Sequence, residues 1–369
     1  MGLPETDAVA GKIGRKVSQA DDLVLVIPQP AYENHRMPAG SLVVLLTITL
    51  LTIVVVEFTQ SAEVETHFAM SSRNALQAFY LARSGVNVGE ALLAQDAKIN
   101  HNESEEDIWA RPLPPLPVGD GTVSLRVQDE ARRLNLNMLS VGSVAQLNVR
   151  RSIFGHLFDV LGVDKRILAA IVDWIDADDE PSTDPPGAER AYYLGLTPPV
   201  VARNGPMLTM RELMQVRGMT PTLYARLEDF VTVLPPDTVK VNVNTAPAEV
   251  LSAILETLGA DPGVVARVIS VRREHAFNTP TELGPNVSGW PTTGTDAFIA
   301  TTSSYFRIDA VGEVNDVARG ITAIVGRDLG TGKRGITRIT WAPSIANLSL
   351  TSQPPSDFLH TLPPLGGQT

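Results

Sequence analysis

Within residues 173–189 the chain carries Asp173, Asp176, Asp178, Asp179, Glu180, Asp184 and Glu189, with Gly187 among them. So many carboxylates in so short a stretch repel one another unless water solvates them or a cation neutralises them. Calcium takes about six to eight oxygen ligands from loops of this kind. The stretch is not an EF-hand, because Pro181 stands where the turn glycine should follow Asp176, Asp178 and Glu180. Two readings therefore stand side by side: a calcium-binding loop and a plain solvated acidic loop.

Other chemistry is poorly supported. His35, His67, His101, His156, His275 and His360 are scattered, and none sits in a metal-ligand motif. Gly330-Thr-Gly332-Lys333 lacks the spacing of a phosphate loop. The absence of cysteine excludes disulfides and Cys-ligated zinc. No catalytic set emerges, so an enzyme is not expected. The stretch Leu213-Met-Gln-Val-Arg-Gly-Met-Thr-Pro221 is similar to a helix-hairpin-helix unit, which makes a membrane-tethered DNA-binding receptor the competing reading. Only one glycine, Gly218, is present in that turn, and the net charge of -11 disfavours a nucleic-acid partner.

These residues depend on the elements that place them. Residues 37–56 carry no charge, and 42–56 are nearly all Leu, Val, Ile and Thr, which predicts a single membrane-spanning helix. Lys12, Arg15, Lys16 and Arg36 precede it and Glu57, Glu63 and Glu65 follow, favouring a cytoplasmic N-terminus; Asp21, Asp22 and Glu33 weaken that bias. Beyond the apolar run, Phe68, Ala75, Phe79, Ala82, Val86 and Leu93 recur at a period near 3.5, and no proline lies between Ala39 and Arg111. One helix over 41–95 would be about 80 Å long at 1.5 Å per residue. Its second half should pack this stripe on a domain or on neighbouring copies.

Residues 96–133 read as a polar, proline-rich linker followed by a first strand, which alternates over 121–127. An internal duplication spans 134–300, with copies at 134–234 and 241–300. Leu134-Asn-Leu-Asn137 matches Val241-Asn-Val-Asn244, and Leu161-Gly-Val-Asp164 matches Leu258-Gly-Ala-Asp261. In both copies the aspartate caps the next helix, with Pro262 in its first turn in the second copy. The capping-box strings Thr209-Met-Arg-Glu212 and Thr279-Pro-Thr-Glu282 close the match. Each copy should be a small antiparallel helical hairpin unit, the first enlarged by the acidic insert. Strand patterns return over 301–342 and should pair with the first strand; Gly330 to Gly332 supply a turn. Residues 343–369 read as a mobile tail.

Five strings taken together resemble the minor pseudopilins of the GspK family of type II secretion: Ala78-Phe-Tyr-Leu-Ala-Arg-Ser-Gly-Val86, Val172-Asp-Trp-Ile-Asp-Ala-Asp178, Gly187-Ala-Glu189, Asn204-Gly-Pro206 and Val241-Asn-Val-Asn-Thr-Ala-Pro247. The resemblance implies an α+β pilin-like fold: a long N-terminal helix on a small antiparallel sheet, with a large helical domain inserted. It also implies cleavage by prepilin peptidase at the Gly40–Ser41 bond, removing the cytoplasmic leader 1–40. This leader departs from the usual pattern in its length and in lacking a compact Lys/Arg cluster beside that bond. The fifth residue of the resulting chain is Leu45 where most pseudopilins carry Glu, which suits a tip subunit. Phe79, Ala82 and Val86 would serve assembly. The expected partners are the I- and J-type minor pseudopilins, the major pseudopilin, prepilin peptidase and the inner membrane, with the C-terminal domain in the periplasm. Family members bind calcium in the helical domain, which assigns a metal site here to Asp176, Asp178, Asp184 and Glu189.

Overall fold

The computed structural model describes residues 39–261, 263–327 and 336–344. Residues 1–38 of the leader, Pro262, the turn glycines Gly330 to Gly332 and the tail beyond 344 lie outside the described residues. The chain forms two units, Met1–Glu65 and Thr66–Thr369, and helix α1 (Ala39–Asp96) contributes to both.

In the first unit the apolar residues 42–56 are all exposed, and α1 is long and apolar enough to cross a membrane. The polar atoms of this segment are satisfied internally. Thr47, Thr49, Thr52 and Thr59 each donate their hydroxyl to the carbonyl four residues back, at 2.5–2.8 Å. A lipid-facing helix needs that arrangement, because nothing in hydrocarbon can pair a free hydroxyl.

The second unit begins with the rest of α1. Two strands follow, β1 (Leu116–Val118) and β2 (Gly121–Asp129), so the proline-rich stretch contributes a short edge strand as well as a linker. Next come β3 (Leu134–Asn135), α2 (Val144–Val160), α3 (Lys165–Ile175), α4 (Arg190–Leu194), α5 (Pro221–Leu227) and β4 (Val231–Thr232). The chain continues through β5 (Val241–Asn242), α6 (Ala248–Thr257), α7 (Gly263–Glu274), α8 (Leu283–Asn286) and β6 (Ile299–Ala300). It ends in β7 (Tyr305–Val314), β8 (Val317–Arg327) and β9 (Ile336–Ser344).

One antiparallel sheet has the order β1-β2-β7-β8-β9. β2 and β7 are neighbours, paired from Gly121↔Val314 to Asp129↔Phe306, so the whole helical region is inserted between two adjacent strands. Alternation along β7 and β8 sends Phe306, Ile308, Ala310, Ile321, Ala323 and Val325 to the face that packs on Ala82, Val86 and Leu93 of α1. Close approach here depends on missing side chains. A Cβ on Gly312 would overlap the Ala78 carbonyl and lie 2.6 Å from the Ala82 amide nitrogen. One on Gly85 would lie 2.9 Å from the Ala310 Cβ. The docked part of α1 therefore starts at Ala78. Phe68, expected within the buried stripe, is 73% exposed because it precedes the sheet contact.

The segment after α1 is not the solvated linker its polarity suggested. Glu103, Ser104 and Asp107 are buried. The buried Arg327 guanidinium of β8 pairs with Asp96 at 3.3 Å and with Glu103, and lies over the Phe306 ring. Asp107 accepts from Ser104 N, Ser104 Oγ and Trp109 Nε1. Arg327, distant in sequence, and the local donors Ser104 and Trp109 compensate the burial.

The two halves of the inserted region repeat one hydrogen-bond scheme. β3 pairs with β4, and β5 with β6, each in parallel. Asn135 Oδ1 accepts from Asn137 N, and Asn242 Oδ1 accepts from Asn244 N. Asn137 Oδ1 then accepts from Met207 N at 2.7 Å, as Asn244 Oδ1 does from Phe277 N at 2.9 Å. α2 and α6 pack together, and one apolar core runs through both halves. The capping-box strings open short 3₁₀ turns, Met210–Gln215 and Pro280–Glu282, rather than α-helices. Glu212 accepts from Leu208 N and Thr209 N, and Glu282 from Asn278 N. The first turn ends at Val216, which is extended, and the second runs directly into the short helix α8, whose C-terminal cap is Val287.

Candidate metal centre

Helix α3 opens at Asp164, whose carboxylate accepts from Arg166 N at 2.8 Å. From Ile167 to Ile175 every side chain is buried, so α3 is a central core helix and its last turn carries Asp173 into the interior. Asp173 accepts from Ser182 N at 3.1 Å and Ser182 Oγ at 2.6 Å. Three residues on, Asp176 ends the helix on the same face. The insert returns past Gly187, whose missing side chain matters: a Cβ there would overlap the Asp173 carboxylate. Two residues later the buried Glu189 stands at the N-terminus of α4, where its side chain makes no capping bond.

Asp173, Asp176 and Glu189 each bring a carboxylate oxygen within 4.8 Å of the other two. Both oxygens of Glu189 and Oδ1 of Asp176 are buried with no hydrogen-bond partner. Burial, then repulsion from Asp178 and Asp173, pushes Asp176 up to about 6. Burial, then Asp176 and Asp173, pushes Glu189 up to about 7. The cluster therefore favours the uptake of protons or a cation. Its donors are all oxygen, the set preferred by calcium and magnesium over softer metals.

A surrounding scaffold fixes the loop. Arg217 donates from Nη1 to the Gly187 carbonyl at 2.8 Å and stacks over the Tyr192 ring at 4.8 Å. Its backbone N–H reaches the Tyr193 hydroxyl, and Tyr193 meets Trp174 edge-on at 4.9 Å. Asn204, in the left-handed region at φ 46°, donates to the Asp178 carbonyl and to Asp179 Oδ1. This explains the Asn204-Gly-Pro206 string structurally: it ties the far end of the insert to its acidic start.

Of the four carboxylates expected as ligands, Asp176 and Glu189 come together. Asp178 is exposed and accepts from Glu180 N, contributing negative potential to its two neighbours. Asp184 is exposed and lines a separate cleft with Ser182 and Pro185, outside the three-carboxylate cluster. Asp173, and not Asp184, lies beside Asp176 and Glu189. Asp173 stands among the acids of the insert but not among the four expected ligands, although its spacing of three from Asp176 was a visible signal. Gly40 and Ser41 sit in the first turn of α1, and Leu45 is 53% exposed. Ala82 and Val86 are buried against this chain's own sheet, and Phe79 is half-buried beside Trp341. The docking they perform is internal, because the sheet has claimed that face of α1.

An N-terminal helix laid on an antiparallel sheet, with a helical domain carried between two neighbouring strands, defines a pilin-like α+β protein. Family models described as "Type II secretion system (T2SS), protein K" match residues 132–236 and 241–298. The chain is 30% identical over 305 residues to the type II secretion system protein K of Aeromonas hydrophila, covering 78% of this chain and 91% of that protein. It is 27% identical over 308 residues to the protein K of Pseudomonas aeruginosa, covering 80% and 89%. The fold matches a chain of the crystal structure of the GspK-GspI-GspJ complex from enterotoxigenic Escherichia coli at a TM-score of 0.60 and 22% identity, covering 75% of this chain and 99% of that one. The chain belongs to the type II secretion system protein K family.

Proposed function

We propose that this chain is the minor pseudopilin at the tip of a type II secretion pseudopilus, where it helps to initiate filament assembly and protein export across the outer membrane. Its role is structural rather than catalytic. The observation that carries the reading is the start of α1: a wholly exposed apolar helix whose fifth residue from Ser41 is Leu45. An exposed apolar helix is a packing surface, in lipid before extraction and against other pilin helices afterwards. Leucine at that position offers no carboxylate to the N-terminal amine of a subunit above, so the top place suits this chain. The match to a chain of a GspK-GspI-GspJ complex supports I- and J-type minor pseudopilins as partners. The major pseudopilin and prepilin peptidase, acting at Gly40–Ser41, complete the set. The chain would sit in the inner membrane with its C-terminal domain in the periplasm. A DNA-binding role gains no support from a chain of net charge -11.

The test is co-expression of the full chain with the I- and J-type minor pseudopilins, together with deletion of its gene. A co-purifying complex and loss of secretion, restored by the full chain, are expected. Absence of any complex, with secretion intact after deletion, would overturn the reading.

We further infer that Asp173, Asp176 and Glu189 hold a calcium ion. Support comes from the unpaired buried oxygens and the all-oxygen donor set. Bound calcium would neutralise the repulsion among the three carboxylates and fix the insert against α3.

A further inference from the structure

Helix α2 carries a glycine that the packing inside the chain does not explain. Glycine inside a helix weakens it relative to alanine, so an internal one marks a place where a side chain would be in the way. In α1 the obstacle is visible. A Cβ on Gly85 would lie 2.8 Å from Val123 Cγ1, and one on Gly89 would lie 2.9 Å from Ile308 Cγ2, where the helix rests on the sheet. A Cβ on Gly155 would meet no surrounding atom within 4 Å among the described residues. Arg151, Gly155 and Asp159 form one row along α2, about 12 Å long at 1.5 Å per residue. The missing side chain is a notch in that ridge.

The notch opens into a cleft of about 590 Å³ between α2 and α3. Its floor is small or apolar, made by Gly155, Leu168, Ala169 and Val172. One wall is the loop of Ser182, Asp184 and Pro185, and Ser182 is held there by its bonds to Asp173. Two charge pairs beside the cleft are already made: Lys165 meets Asp159 at 2.8 Å, and His156 meets Glu256 at 3.0 Å. Arg151 on α2 and Asp184 on the loop are exposed, and neither forms an ion pair or hydrogen bond among the described residues. The Arg151 charge acts on Asp176 only through space. A free cation and a free anion at one rim select an occupant that carries both signs.

We propose that this cleft receives a helix of a partner protein, whose apolar side chain seats in the Gly155 notch, with an acid for Arg151 and a base for Asp184. A helix is the occupant that an interrupted ridge fits. Packed helices lie about 8–10 Å apart, ridge in groove, and a residue without a side chain at the crossing allows the closest approach. The seated apolar side chain supplies most of the affinity, and the two rim charges fix orientation and exclude wrong partners. Gly155 thus weakens the free chain and serves the docked one.

The full chain in detergent, titrated into a labelled, stapled helical peptide with Glu, Leu and Lys one turn apart on one face, tests this. Fluorescence anisotropy should show saturable binding. Gly155→Leu fills the notch and should weaken binding at least about tenfold, with a melting temperature no lower than that of the wild type. Arg151→Glu, at an exposed position, should weaken binding about tenfold, and decides the matter if Gly155→Leu lowers the melting temperature. A peptide with Lys in place of Glu should bind the Arg151→Glu variant more tightly than the original peptide does, an exchange that a purely structural role for Arg151 would not produce. No saturable binding to the wild type, or undiminished binding by both variants, would overturn the proposal. So would equal binding of the same peptide broken by a central proline, because the cleft would then not select a helix.

Discussion

Asn242 donates its side-chain amide to the Asp129 carboxylate at 2.9 Å, and that bond fastens the inserted helical domain to the strand it interrupts. Asp129 is the last residue of β2 and 2% exposed. It also accepts from Ala131 N, Thr245 Oγ1 and Ser303 Oγ at 2.6–2.8 Å. The strand end, the second half of the insert and the approach to β7 thus share one buried carboxyl group, with four donors oriented toward it. Removing the acceptor leaves those donors dry, at about 1–3 kcal/mol each. Asp129→Ala should therefore cost at least about 4 kcal/mol in urea unfolding, and Asn242→Ala about 2 kcal/mol, the two losses being non-additive. A loss below about 1 kcal/mol for Asp129→Ala would remove this residue from the junction.

A second prediction uses two glycines of opposite character. Gly312 lies where α1 meets the sheet, and an added methyl would strike the backbone of residues 78 and 82. Backbone cannot swing aside as a side-chain tip can, so Gly312→Ala should cost about 2–3 kcal/mol. Gly155 lies inside α2 with open space where a Cβ would go. There alanine lowers the entropic cost of helix formation, and Gly155→Ala should add up to about 1 kcal/mol. Thermal melts of the two variants should move in opposite directions; a shared direction would contradict the packing assigned to Gly312.

How much of this was legible in the sequence varies with the range of the interaction. The α1 helix and the paired Asn-x-Asn strings depend on local periodicity and repetition, so they could be read directly. The burial of Glu103 could not, because its partner Arg327 lies 224 residues away. Composition drew attention to the acidic insert, but it could not say which of its carboxylates the fold brings together: Asp176 and Glu189 meet, Asp178 and Asp184 do not join them. Asp184 looked like a ligand because it stands among acids, yet the loop carries it into another cleft. Asp173, which sits among Ile171, Trp174 and Ile175, was not among the four expected ligands, and its burial is what brings it beside Glu189. Ala82 and Val86 were legible as a stripe, but a stripe does not say whether its partner is another copy or a sheet assembled from distant strands.

Calcium should stabilise this protein through the three-carboxylate cluster. At a free concentration about 100 times Kd, a ligand that binds only the folded form adds roughly 2.7 kcal/mol. The melting temperature should rise by several degrees on adding calcium and fall back with excess EGTA. Asp176→Asn and Glu189→Gln should each abolish most of that shift, whereas Asp184→Asn should leave it nearly intact. Calorimetric titration should show heat for the wild type and little for the two variants. No heat, together with no EGTA-sensitive shift, would leave the cluster a set of protonated acids.

The same cluster sets a pH dependence whose sign reverses with metal. Without metal, folding raises the pKa values of Asp176 and Glu189, to about 6 and about 7. Their protonated forms are thus favoured in the folded chain. The resulting contribution to stability is complete below the unfolded-state values near 4, and is lost as pH climbs through about 6 and then about 7. In EGTA, the wild type should therefore lose stability between pH 5 and pH 8 relative to an Asp176→Asn/Glu189→Gln double variant, which carries no such titration. Calcium binds the deprotonated carboxylates and displaces their protons, so its stabilising effect should be small at pH 5 and grow toward pH 8. Taking each curve relative to the double variant removes the titrations common to both proteins. Parallel curves for wild type and double variant in EGTA would mean that these carboxylates are not held above their usual range.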